Sequence, residues 1–403
     1  MRENDKKPFI RFAGFTDDWE QRKLGDITNC YSGGTPSVGN KMFYGGSIPF
    51  IRSGEISSEE TALFLTEDGL KGSSAKMVEI GDILYALYGA TSGEVSISRI
   101  SGAINQAILA IKPLDNYSPS FIMQWLRKEK ENIIGTYLQG GQGNLSGNIV
   151  KELMISIPGN KTEQDEIGKF FANLDNLITL HQRKYDKLVV MKKSMMEKMF
   201  PQNGSDVPEI RFEGFTDPWE QYKIGEVLTE KKNSIELEDN KTYELVTVRR
   251  RNEGVVSRGL LKGKDILVKN YYEIKSGDFI ISKRQVVHGA NGIVPQSLDK
   301  AIVSNEYLIA IGNESISTDF WTLISKLPIM YKKFFLSSYG VDIEKLVFDV
   351  EDWKKRTIVI PRLDEQKKIT EFFNNLDNLI SLQQRKQKKL KNIKKSMLEK
   401  MFV

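Results

Sequence analysis

The chain has 403 residues, 40% hydrophobic and 28% charged, with 58 Lys and Arg against 53 Asp and Glu for a net charge of +5. That length predicts roughly two to three domains, each able to bury a core, and the composition excludes both a disordered and a collagen-like chain. A single cysteine, Cys30, excludes an intrachain disulfide and a cysteine-based zinc cluster, and two distant histidines, His181 and His288, leave little for a metal site or a base-activated nucleophile.

The opening, Met1 to Lys7, leads into no apolar signal core, and no apolar run approaches the roughly 18 residues of a membrane span, so the cytoplasm is the expected location. Pro8 to Ile27 then returns almost verbatim at Pro208 to Val227, with 13 of 20 positions identical. Glu163 to Phe200 likewise returns at Glu365 to Phe402, with 25 of 38 identical. Such self-similarity marks a duplicated module. Between the matching ends the two interiors diverge, keeping only landmarks such as Gly81-Asp82 against Gly277-Asp278 and Asn105-Gln106 against Asn305-Glu306. Shared ends with unlike middles predict one frame carrying two different tasks.

The first interior offers strands at Ile48–Ile51, Ile83–Leu87, Glu94–Ile97, Ala107–Ile111 and Leu153–Ile157, and a helix over Pro119–Leu138. The second offers strands at Leu245–Val248, Phe279–Ser282 and Tyr307–Ile311, then a helix around Asp319–Phe335. Each interior is therefore expected to be an α+β domain.

After Ile157-Pro158 and again after Ile360-Pro361 the apolar spacing turns helical for about ten turns. Thr162 or Asp364 is the expected N-cap, with Glu163 and Glu365 in the acid-favouring first turn. Ile167, Phe170, Leu174, Leu177, Leu188, Met191 and Met195 form an a/d-like seam, matched by Ile369, Phe372, Leu376, Leu379, Leu390, Ile393 and Met397. His181 with Lys184, and Gln383 with Lys386, interrupt it and read as register-setting polar residues. A helix of about 38 residues is roughly 57 Å long. The second is expected to run back along the first as an antiparallel, coiled-coil-like pair, separating two similar domains related by a pseudo-two-fold axis. The expected divisions are 1–157, 158–200, 201–360 and 361–403.

The lead-ins IPGNKTEQ (157–164) and IPRLDEQ (360–366), each ahead of a long helix, together with SGGTPS (32–37), GDILYALYGATSG (81–93) and AINQAILAI (103–111), carry a resemblance. The chain resembles the specificity subunits of type I restriction-modification enzymes over essentially its whole length. The resemblance implies two target recognition domains, each reading one half of a split, asymmetric double-stranded DNA sequence, with the paired helices acting as a ruler. It also implies docking of two modification (methyltransferase) subunits and of restriction subunits. The chain itself would hold no cofactor, while those partners would use S-adenosylmethionine, ATP and magnesium. The second half departs from the first at SGGTP, showing Lys232-Asn233-Ser234 instead.

The residues point the same way. An adenine methyltransferase needs a glycine-rich cofactor turn and an aromatic-containing Asn/Asp-Pro-Pro element, and neither is present. Gly33-Gly34 and Gly140-Gly141 lack the strand-helix setting of a phosphate-binding fingerprint and read as turn glycines. Asp278 with Lys283 reads as a random likeness to a nuclease fragment, so the chain is expected to be non-catalytic.

Candidate DNA-binding residues in the second interior are Arg249, Arg250, Arg251, Arg258, Lys283 and Arg284, with Lys262, Lys264 and His288 nearby, because clustered Arg meets phosphates and guanine edges. The first interior offers Lys41 and Arg52, with Lys71 and Lys76 beside Tyr85 and Tyr88, and the polar loop carrying Gln139, Gln142 and Asn144, whose amides suit adenine. Glu365 to Lys400 holds 10 basic and 4 acidic residues against 7 and 6 for Glu163 to Lys198, an excess suited to phosphate contacts. Two readings stand beside a DNA reader: a coiled-coil adaptor whose two domains bind proteins, and a fused restriction or modification enzyme.

Overall fold

The computed structural model describes residues 6–138, 144–202, 204–267, 270–343 and 346–403. It divides into two units, one of residues up to 183 together with 383–403, the other of residues 184–382. The two long helices, Lys161–Lys198 and Leu363–Met401, are thereby each shared between the units. Among the described residues no helix is long and apolar enough to cross a membrane.

In the first unit the strands Thr28–Ser32, Ile108–Pro113, Ile83–Ala86 and Val95–Ile97 lie side by side in an antiparallel sheet. A second sheet orders Phe64–Leu65, Tyr44–Ile51, Gly102–Ile104 and Lys76–Val78. Its central pair is parallel, with Phe50 facing Ala103 and Ile51 facing Ile104. The second unit repeats the first sheet as Leu228–Lys231, Tyr307–Gly312, Phe279–Ser282 and Asn291–Ile293. It also repeats the parallel contact, Leu245 facing Ile302, within a five-stranded sheet extended by a hairpin of Thr242–Arg249 and Gly254–Lys262. Both interiors are thus α+β, as their strand spacing predicts, and the hairpin is where they differ most.

The expected helix over Asp319–Phe335 is two helices, Thr318–Ile324 and Pro328–Leu336. Pro328 has no N–H to continue the first and takes the first position of the second, where none is needed.

The duplicated ends form the same corner in both units. Glu20–Lys23 pairs antiparallel with Met154–Ile157, and Glu220–Lys223 with Thr357–Ile360. Arg11 clamps the buried carboxylate of Glu163 through Nε and a second guanidinium nitrogen, at 2.6 and 2.8 Å, and Arg211 does the same to Glu365 at 2.7 and 2.7 Å. The neighbouring glutamines are pins: Gln164 accepts from the Ser118 N–H and donates to the Pro158 carbonyl, as Gln366 does with Ser317 and Pro361. The Glu-Gln dipeptide therefore fastens each long helix to its domain.

Three sequence expectations for the long helices need correction. The first helix begins before Thr162, whose N–H is accepted by Asn160 Oδ1, so Asn160 takes the capping role; Asp364 likewise lies inside the second helix. The seam runs one residue later than expected in its early turns. Ile167, Phe171, Leu174, Ile178, His181 follow each other at alternating steps of four and three, the heptad spacing. Phe171 is fully buried and Phe170 only partly so, because Phe170 packs edge-on against Phe12 of the opening motif. Leu177 and Leu379, and Met191, stand 42%, 44% and 38% exposed, and Lys184 and Lys386 are outside the seam.

Each unit shows its helix segments running antiparallel. In the first, Phe171 meets Phe402, Asp175 accepts from Lys394 at 2.5 Å, and His181 Nδ1 donates to Gln383 Oε1 at 2.6 Å. In the second, Lys192 donates to Asp377 at 2.5 Å and Phe200 stacks on Phe373. Met401 and Phe402 enter the first unit's core beside Trp19 and Phe121, while Met199 and Phe200 enter the second's beside Trp219 and Phe320. The methionines at the helix ends are core filling, as their seam positions suggest.

Candidate nucleic-acid interface

In each unit three chain segments meet at the end of the parallel strand pair. In the first, Ile51 and Ile104 leave that pair in the same direction, which sets Arg52 beside the turn Asn105-Gln106. Lys76 opens the strand on the other side, facing Ile104. The loop after Ile83–Ala86 is tied to the same turn, since the Leu87 N–H donates to the Ala107 carbonyl, and Leu145 donates to Leu87 in turn. An isolated bridge then seats Asn144 against Tyr88.

The second unit builds the same corner from different side chains. The Lys283 N–H donates to the Glu306 carbonyl, and the Phe348 N–H to the Lys283 carbonyl. The hairpin end joins them: Arg250 Nε donates to Gln285 Oε1 at 2.6 Å, and the Arg251 and Asn252 N–H groups donate to the carbonyls of His288 and Gly289 at 2.7 and 2.9 Å. Arg251 and Asn252 hold φ of 60° and 57°, a conformation that ordinary side chains resist. Docking onto the 286–289 turn holds them there.

Arg249, Arg250, Arg251, Lys283 and Arg284 thus form one cluster. Within it Lys283 Nζ braces the turn by donating to the Asn305 carbonyl, and Arg284 pairs with Glu306 at 2.9 Å. Arg258 is not part of it. It sits at the bulge of Gly254–Lys262, about 13 Å of extended strand from the hairpin end. In the first unit Arg52 and Asn144 reach the corner, whereas Lys41 precedes the other end of Tyr44–Ile51 and is not brought to Arg52. Gln139 and Gln142, with Gly140-Gly141, lie outside the described residues. Tyr85 is fully buried, its phenol pushed up to about 12 by that burial, so it belongs to the core, while Tyr88 is half-buried against that core.

Arg52 has a partner of its own. It bonds Glu55 at 2.5 Å, and this contact, with further hydrogen bonds from Thr61 and the backbone, holds the Glu55 carboxyl at about 2. Asp278, whose spacing to Lys283 mimics a nuclease fragment, is buried and accepts from Lys231 Nζ at 2.6 Å, a structural pair.

Sequence reading missed one pair. Thr35 Oγ1 donates to Gln106 Oε1 at 2.7 Å, and both side chains are exposed. The segment SGGTPS delivers Thr35 there. A Cβ on Gly33 would lie 1.8 Å from the Ile104 carbonyl oxygen, and one on Gly34 2.6 Å from the Ser74 side chain. Neither glycine has a positive φ, so close backbone approach, and not turn geometry, demands them.

This duplicated frame has known counterparts. The family profile for the type I restriction modification DNA specificity domain matches residues 16–189 and again 216–392. The type I restriction enzyme MjaVIII specificity subunit of Methanocaldococcus jannaschii is 21% identical, the match covering 95% of this chain and 91% of that one. The putative MjaX specificity subunit of the same organism is 25% identical over 98% and 95%. The crystal structure of the type I restriction-modification S subunit from M. genitalium shares the fold at a TM-score of 0.61 and 15% identity, over 98% of this chain and 99% of that one. The chain belongs to the type I restriction-modification DNA specificity family. Within it, the chain is a non-catalytic specificity subunit with two recognition domains.

Proposed function

We propose that the chain reads a split, asymmetric sequence in double-stranded DNA, each recognition domain taking one half through its three-segment corner. The observation that carries this reading is the pair of equivalent corners: one hydrogen-bonded frame, fitted with amides and a tyrosine in the first unit and with arginines, a lysine and a glutamate in the second. Unequal half-sites require unlike readers on a like frame. The repeated opening motif and helix lead-ins give both units the same clamp, which supports docking of two copies of one modification (methyltransferase) subunit, with restriction subunits joining them. S-adenosylmethionine, ATP and magnesium belong to those subunits in this scheme. The basic second helix supports added phosphate contacts that carry no base information.

The test is footprinting of the complex reassembled from this chain and its modification subunits. Two short protected tracts separated by an unread spacer are expected. Assembly without sequence-dependent protection would favour a protein-binding adaptor and sink the proposal, and methyl transfer by this chain alone would do the same.

A further inference from the structure

The geometry points to Gln106 in the first unit and Glu306 in the second, exposed side chains on the corresponding turns of the two corners, as base-reading residues, set for an A·T pair in one half and a G·C pair in the other. This assignment rests on the DNA-reading function proposed above.

The two turns correspond in the fold, although the two readers stand one place apart on them. Asn105-Gln106 and Asn305-Glu306 each link the strand of the parallel pair to the strand beside the 83–86 or 279–282 strand. Both turns are gripped by the loop that follows that strand, through Leu87 to Ala107 and through Lys283 to Glu306, so the backbone of Glu306 takes the place of Ala107 and that of Asn305 the place of Gln106. A side chain on either turn leaves a rigid sheet end through a link of three residues in the first unit and two in the second, with little freedom to lose on binding.

At each turn a second element orients the reader. Thr35 donates to Gln106 Oε1, which leaves the amide nitrogen and one carbonyl lone pair of an exposed side chain for a ligand. A donor and an acceptor on one planar amide match N7 and the N6 amino group of adenine. In the second unit the segment equivalent to SGGTPS lacks the threonine, and Arg284 takes over, pairing with Glu306 at 2.9 Å. Arginine donates to guanine O6 and N7, and a carboxylate accepts from cytosine N4, so the pair offers complementary groups to the two bases of one G·C pair. The SGGTPS segment thereby gains a role: its two glycines let it cross close enough to Ile104 to bring Thr35 to the reader.

The experiment uses the full chain assembled with its modification subunits on a library randomised across both half-sites, with methylated molecules sequenced. For Gln106→Ala, one A·T position in one half-site is expected to lose about 5- to 150-fold of its discrimination, the other half-site staying unchanged. Thr35→Val should weaken the same position by less. Arg284→Ala should relax one G·C position in the other half-site only. Should Gln106→Ala abolish methylation, Gln106→Glu decides, with a shift from A·T towards G·C at that position expected. A Gln106→Ala or Gln106→Glu complex that keeps the wild-type sequence at undiminished discrimination overturns the assignment while leaving the DNA-reading function standing. A wild-type complex with no sequence preference overturns that function itself.

Discussion

Two residues at the corners show how a charge is held ready and at what cost. Arg52 is committed to Glu55, whose carboxyl stays ionised down to about 2. Because that value lies below the ordinary carboxylate range, the pair's contribution is fully present above about pH 4.5 and is lost as pH falls towards 2. Glu55→Gln should remove that acid-side dependence of unfolding and release Arg52, raising DNA affinity at low salt; an unchanged affinity would mean Arg52 stands off the DNA. Arg251 is the second case. Its left-handed backbone costs of order 1 kcal/mol, so Arg251→Gly should leave stability equal or slightly higher while weakening binding. Neutralising Arg249, Arg250 and Arg251 together should flatten the dependence of log affinity on log salt by about 0.9 for each phosphate they would otherwise neutralise. An undiminished slope would remove them from the interface. These arginines were legible in the sequence as a run of three. Gln106 was visible only as a landmark, because the hydroxyl that orients it comes from 71 residues away and no local pattern announces such a hydrogen bond.

At the level of elements, periodicity carried far. The eight strands offered by the sequence and the Pro119–Tyr137 helix fall where alternation and 3.6-residue spacing place them, whereas short strands such as Gly102–Ile104 and Ile302–Ser304, and the Gly254–Lys262 arm of the hairpin, carried no such signal. Both long helices were evident from their period and repeat. Their seam was harder, since Phe170 and Phe171 are equally apolar and only the tertiary partner, Phe12 or Phe402, decides which faces the other helix. The hydrogen bond between His181 and Gln383 sits at seam positions where leucine would pack. Polar residues at such positions fix register and lower stability. Replacing both by Leu is therefore expected to raise the unfolding midpoint by a few degrees, about 1 kcal/mol in a unit of this size. His181→Leu alone, which strands the Gln383 amide, should lower it. Calorimetry of the two variants separates a register device from a solvated pair.

For the whole molecule, the sequence repeat foretold the architecture more surely than any motif. A duplicated chain with unlike interiors maps onto two sheets of identical order, and among the described residues a large departure is the hairpin ending in Arg249–Glu253. Removing one heptad from each long helix, at residues 178–184 and 380–386, is expected to alter the number of unread base pairs between the half-sites and to spare the half-sites themselves. Methylome sequencing of cells carrying the shortened chain checks this; an unaltered gap would deny the helices any part in setting it.

The aromatic plug at Phe402 has a bearing on how the protein is made. The first unit's core waits for residues 383–403, synthesised after the whole of the second unit's 184–382, whereas the second unit receives Phe200 before its own sheets are synthesised. At about 5–20 residues per second, the half translated first spends on the order of 10–40 seconds with Trp19, Phe121 and Phe171 missing their final neighbour. Translation order and completion order are therefore reversed, and a chain cut short between residues 382 and 402 is one whose earlier half is left unfinished.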